Sequence, residues 1–186
     1  MKVCGVTILL AAMVLAFSVA GPEPVEGKAG EPAGSWQLVE SRYFRIYYQD
    51  APDLVQLTYH LSKGKHKEFA QRIKRSQAVQ PEELKIYDEL YEETMRLLGM
   101  RSSERLVIRI YPDYAALSNE YEQLARRREA VLAFYNPRNA SICVDASASR
   151  SVLGHEMAHA LTDKVFLSNP PLEVQELLAG YVQTRI

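Results

Sequence analysis

Cysteine is almost missing from this chain. Of two, Cys4 falls in an apolar N-terminal stretch and Cys143 stands alone in the rest of the sequence. A chain cut after that stretch can form no internal disulfide, so a disulfide scaffold is excluded. Cys143 sits in the apolar alternation "ASICVD" and reads as a half-buried strand residue rather than a nucleophile. An excess of one charge is missing too: 22 Lys and Arg face 23 Asp and Glu, a net −1. That balance offers nothing to a polyanion or an acidic membrane. The short basic runs "KGKHK" (Lys63–Lys67) and "RRR" (Arg126–Arg128) carry no interleaved aromatics and read as solvated helix faces, not a nucleic-acid surface. Histidine is scarce as well, with four residues in all.

The one long apolar run opens the chain. "MKVCGVTILLAAMVLAFSVA" has a positive charge at Lys2, then an apolar stretch, then small residues at Ser18 and Ala20. This is the layout of a secretory signal cut after Ala20, and it predicts an exported protein, periplasmic or secreted, with no stable membrane span once cut. An uncleaved anchor is the alternative. Gly21–Ser35, rich in Pro, Gly and Glu, reads as a flexible linker. The remaining 36–186, in a chain 47% apolar, is enough for one core.

Within that domain, Tyr43–Gln49 and Arg105–Tyr111 are rich in aromatic and branched residues and predict strands. A polar helical stretch runs from about Asp53 to Arg75, weakened by Gly64. Pro81 opens a cleaner helix with Leu84, Tyr87, Tyr91, Met95 and Leu98 at helical spacing, and Gly99 stands where a left-handed cap ends it. Tyr114–Arg128 is helical. "VLAFY" and "SICVD", separated by "NPRNA", predict a hairpin. Helical periodicity returns from about Ser149 to Phe166, breaks at Asn169-Pro170-Pro171, and resumes in "LEVQELLAGYVQTR". No repeat occurs, and the layout predicts an α+β fold.

Two of the four histidines share one helix, in "SVLGHEMAHALTD". His155 and His159 are four apart, so their β-carbons lie roughly 5–6 Å apart on one face, and both imidazoles can reach one Zn²⁺ at about 2.0–2.1 Å. Glu156 is turned about 100° from His155. There it can face a water on the metal's open side, taking its proton as it attacks a carbonyl carbon. Leu153, Met157, Ala160 and Leu161 predict a core face separate from the metal face. A zinc site needs a third protein ligand. His60 and His66 lie far upstream, and the last helix offers Glu176, with Glu173 as the fallback. Glu176 precedes "LLAGY", where Gly180 can admit a neighbouring helix and Leu177, Leu178, Tyr181 and Val182 can supply a buried side.

With these residues in place, the chain resembles the gluzincin metallopeptidases, the thermolysin-like group of the peptidase MA clan. "HEMAHALTD" is similar to their active-site helix, "QELLAGYV" to the E-G-x-A-E-Y segment of small bacterial members, and "LAFYNPRNASICVD" to the edge hairpin preceding the metal helix. The resemblance spans about Trp36 to Ile186. It implies a minimal zincin-like fold, a small mixed or antiparallel sheet whose edge hairpin packs on the histidine helix. It implies His155, His159 and Glu176 as Zn²⁺ ligands and Glu156 as general base and acid. It also implies Ala133, Phe134 and Tyr135 as the rim strand that pairs with an extended peptide or protein substrate. The reaction implied is peptide-bond hydrolysis, and with no G-x-M-E-N segment an endopeptidase is favoured over an aminopeptidase. The chain departs from the family at Gly180, where an acidic residue usually braces a ligand imidazole; the ordering of His155 or His159 is then expected from a carbonyl, from Asp163 or from elsewhere. It also ends ten residues after Glu176, before the helical lobe of larger members. Tyr181, Tyr135 and Arg138 are left as candidate oxyanion donors. These departures leave open a minimal peptidase, a truncated chain, or a peptide-binding or scaffolding module with weak or no catalysis; a purely structural exported domain needs the motif to be accidental.

Overall fold

The computed structural model describes residues 36–126 and 129–186. The signal-like stretch, the linker and two arginines of the "RRR" run lie outside them. The described residues form a mixed α+β arrangement with a five-stranded sheet and six helices. In chain order these are β1 (Gln37–Glu40), β2 (Phe44–Tyr48), α1 (Ala51–Ser62), α2 (Lys67–Ser76) and, after a 3₁₀ turn at Pro81–Glu83, α3 (Lys85–Leu98). Then follow β3 (Leu106–Tyr111), α4 (Tyr114–Ala125), β4 (Ala133–Asn136), β5 (Ser141–Asp145), α5 (Arg150–Val165) and α6 (Leu172–Arg185). The sheet order is β1-β2-β3-β5-β4. The two outer pairs are antiparallel and β2-β3-β5 run parallel. Among the described residues no helix is long and apolar enough to cross a membrane.

Strand alternation divides the core. Phe44, Ile46 and Tyr48 of β2, Leu106, Ile108 and Ile110 of β3, and Ile142 and Val144 of β5 point to one face. There they meet Leu57 and Leu61 of α1, Tyr87, Leu90 and Tyr91 of α3, and Leu153, Met157 and Leu161 of α5. Tyr111 and Cys143 point the other way, onto Leu117 and Tyr121 of α4. Cys143 is therefore fully buried, not half-buried. Asp88 fastens α3 to the β1–β2 turn by accepting from the Ser41 hydroxyl (2.8 Å) and the Tyr43 N–H (3.0 Å).

Three features depart from the sequence expectations. β1 was not expected: it is an edge strand held to β2 by main-chain pairing, with side chains largely exposed, so it shows no alternation. The long helical stretch after Asp53 is two helices, because Gly64 adopts φ +94 between them. The histidine helix α5 keeps its expected core face (Leu153, Met157, Ala160 and Leu161) apart from the face that carries the histidines. That second face is covered rather than open, so the helix is buried at eleven consecutive positions, Val152–Thr162. The sheet and α3 cover one side, and α6 covers the face that carries the histidines.

The packing of α6 also differs. Leu177 (72% exposed) and Tyr181 (41%) face outward, and the buried stripe is Ala179 and Val182, joined by Ile186. This narrow stripe meets Ala158 of α5 and Leu98 of α3. The glycine that admits the close approach is Gly154 of α5, where a β-carbon would lie 2.8 Å from Ile186 Cδ1 and 3.5 Å from Val182 Cγ1. Nothing lies within 4 Å of the equivalent point on Gly180.

Candidate metal centre

Two helices build the site. Ser149 caps α5 through its hydroxyl, which accepts the Val152 N–H (3.3 Å). From that start His155 and His159 fall on the face turned to α6, with ring centroids 4.9 Å apart. Asn169-Pro170-Pro171 breaks the chain as expected, Pro171 becomes the N-cap of α6, and Glu176 arrives in its second turn.

The donor atoms converge. His155 Nε2 and His159 Nε2 are 3.1 Å apart. Glu176 Oε2 is 3.6 Å from the first and Oε1 3.5 Å from the second. Bonds of about 2.0–2.1 Å at the tetrahedral angle would separate ligand atoms by roughly 3.3–3.4 Å. The imidazole pair lies a little inside that value, and each imidazole lies a little outside it from one oxygen of the Glu176 carboxylate. Among the described residues, these three form the one group of His, Cys, Asp and Glu gathered tightly enough to hold a metal ion. Glu173 is exposed and does not join it.

Electrostatics favour a cation in the middle. Burial lowers the pKa of His155; burial and the neighbouring His155 ring lower that of His159 to about 3. Both imidazoles are therefore neutral at neutral pH, so their contacts with Glu176 are not ion pairs despite the short distances. Lone pairs converge instead. Glu176 Oε1 is buried without a hydrogen-bond donor, and burial raises the pKa of its carboxyl. Two neutral imidazoles and a half-buried carboxylate with one underbonded oxygen are a donor set that a divalent ion satisfies, so the residues fit zinc.

Glu156 lies against the sheet edge. Burial pushes its carboxyl up to about 8, Glu176 adds to the rise, and the Tyr135 N–H donated to it works in the opposite direction. The edge register explains that donor. The Asp145 N–H donates to Leu132 O (3.0 Å), so in the alternating antiparallel pattern Phe134 bonds inward to Cys143. The main-chain groups of Ala133 and Tyr135 then point away from β5.

A pH dependence follows for protein stripped of metal. The unfolded chain ionises Glu156 near its ordinary 4.5, whereas the folded chain keeps the proton to about 8. The folded state thus binds the extra proton in this window, and stability falls as pH rises. Below 6.5 the neutral imidazoles of the folded state oppose that trend, because the unfolded chain takes up their protons. Stripped protein should lose about 2 kcal/mol between pH 6.5 and 8 in urea unfolding, and Glu156→Gln should remove that loss.

Sequence reasoning missed Gln183. It lies seven residues after Glu176, two turns along the same helix face, and its Oε1 stands 2.9 Å from His155 Nδ1. That seven-residue spacing was the available signal. Asp163, expected as a brace for a histidine, is otherwise engaged: its carboxylate accepts from the Tyr135 hydroxyl (2.7 Å) and Asn169 Nδ2 (2.9 Å). Among the candidate oxyanion donors, the Tyr135 hydroxyl is thus committed to Asp163. Tyr181 is exposed beneath the Arg185 guanidinium, and Arg138 lies in the β4–β5 turn. Compared with protein-family models, with curated proteins and with solved structures, the chain matches none of them.

Proposed function

We propose that this chain is an exported zinc-dependent peptidase of the gluzincin kind, acting as an endopeptidase. The observation that carries the reading is the convergence of His155 Nε2, His159 Nε2 and the two Glu176 carboxylate oxygens at 3.1 to 3.6 Å, with Glu156 buried beside them. The export half rests on the signal-like N-terminus.

His155, His159 and Glu176 would hold the ion, leaving a fourth position open. Zinc there supplies Lewis acidity, which polarises the scissile carbonyl and lowers the pKa of water to about 7. Glu156 then does the proton work. Its carboxylate takes a proton from the attacking water as the oxygen adds to the carbonyl carbon. It returns that proton to the leaving nitrogen as the C–N bond breaks. A nearby cation favours the ionised carboxylate, opposing the burial that holds the proton to about 8. The outward main-chain groups of Ala133 and the outward carbonyl of Tyr135 support strand-like pairing with an extended peptide, with Phe134 holding the strand to β5 and the Tyr135 N–H kept on Glu156.

The test uses protein from Gly21 onward with an unstructured protein as substrate. A chelator should stop cleavage and added zinc restore it. Cleavage that survives complete zinc removal would reject the reading.

A further inference from the structure

The two histidines are not held alike. His155 Nδ1 has Gln183 Oε1 at 2.9 Å, whereas His159 Nδ1 is buried with no hydrogen-bond partner. An amide oxygen only accepts, so the proton between Gln183 and His155 belongs to the ring. We propose that Gln183 is the positioning residue of the centre: it fixes His155 in the Nδ1–H tautomer, which turns the Nε2 lone pair toward His159 and Glu176. The proposal rests on the metal reading for its purpose, though not for its measurement.

A second consequence concerns His159. In protein stripped of metal, two Nε2 atoms 3.1 Å apart need one proton between them. The His155 proton sits on Nδ1, so the shared one is His159 Nε2–H. The rings thus begin as opposite tautomers, and loading zinc changes only His159. Gln183 is placed for this by the packing of α6: Val182 beside it and Ile186 a turn later close on Gly154, one residue before His155.

The test is long-range ¹H–¹⁵N correlation spectroscopy of ¹⁵N-labelled protein, stripped of metal and at a pH above the imidazole range. His155 should show a protonated Nδ1 and His159 a protonated Nε2; adding zinc should convert His159 alone. In Gln183→Leu, His155 should lose its Nδ1–H preference, and zinc affinity measured by chelator competition should fall roughly 10–100-fold. Gln183→Glu keeps an acceptor and should restore both. A wild-type His155 protonated at Nε2, or a Gln183→Leu protein with unchanged tautomer, overturns the proposal. Should the leucine variant fail to fold, the wild-type spectrum alone decides it. Wild-type protein that shows the opposed tautomers yet binds no zinc would reject the metal reading and leave the Gln183–His155 assignment standing.

Discussion

Glu156→Gln should lower peptide hydrolysis by roughly 10²–10⁴-fold, the range for loss of a positioned general base and acid, while zinc content stays at the wild-type level. Glu156 is outside the converging donor group, so its replacement leaves three ligands in place. Glutamine matches its shape and keeps a carbonyl oxygen for the Tyr135 N–H, but it cannot pass a proton from water to a leaving nitrogen. The same variant should be the more stable protein above pH 6.5 when stripped of metal, because the folded wild type must hold up to about 8 a proton that the unfolded chain has already released. Activity loss with a stability gain marks a functional group, since a structural residue would lose both together. Equal hydrolysis by the two proteins would reject Glu156 as the proton carrier. A wild type that binds zinc and peptide yet never cleaves would leave a binding module.

The second large effect concerns the third ligand. Glu176→Ala should weaken zinc binding by on the order of 10³-fold, taking a third of the roughly 10–16 kcal/mol characteristic of protein zinc sites. Its effect on stripped protein should be small or stabilising. Glu176 Oε1 is buried without a donor and burial raises the carboxyl pKa, so alanine removes an uncomfortable group rather than a supporting one. Zinc-dependent stabilisation should accordingly shrink in the variant, because ligand binding to the folded state adds RT ln(1 + [L]/Kd). Chelator competition and thermal unfolding with and without zinc measure both parts. A variant with wild-type zinc affinity would remove Glu176 from the ligand set.

What was readable in the sequence follows from local physics. The histidine spacing, the return of the helix at about Ser149, the Asn169-Pro170-Pro171 break and the β4–β5 hairpin each depend on neighbours within a few residues, and each stands where the pattern put it. The features that went unread depend on distant partners. Leu177 looks like core by composition, yet α6 meets α5 along Ala179 and Val182. The helix-to-helix approach was assigned to Gly180, but its close partner is Gly154, and only the pairing of two helices reveals which glycine is crowded. Gln183 was overlooked because the resemblance directed attention to the position four residues after Glu176. β1 was invisible because an edge strand with exposed side chains is specified by its partner's main chain.

The central claim is that His155, His159 and Glu176 share one divalent ion. Anomalous diffraction at the zinc edge from crystals of the zinc-loaded protein tests it most directly. The account expects one strong peak about 2.0–2.2 Å from His155 Nε2, His159 Nε2 and a Glu176 carboxylate oxygen. A zinc-loaded crystal with no peak between α5 and α6, or with the ion held at His60 or His66 instead, would contradict it.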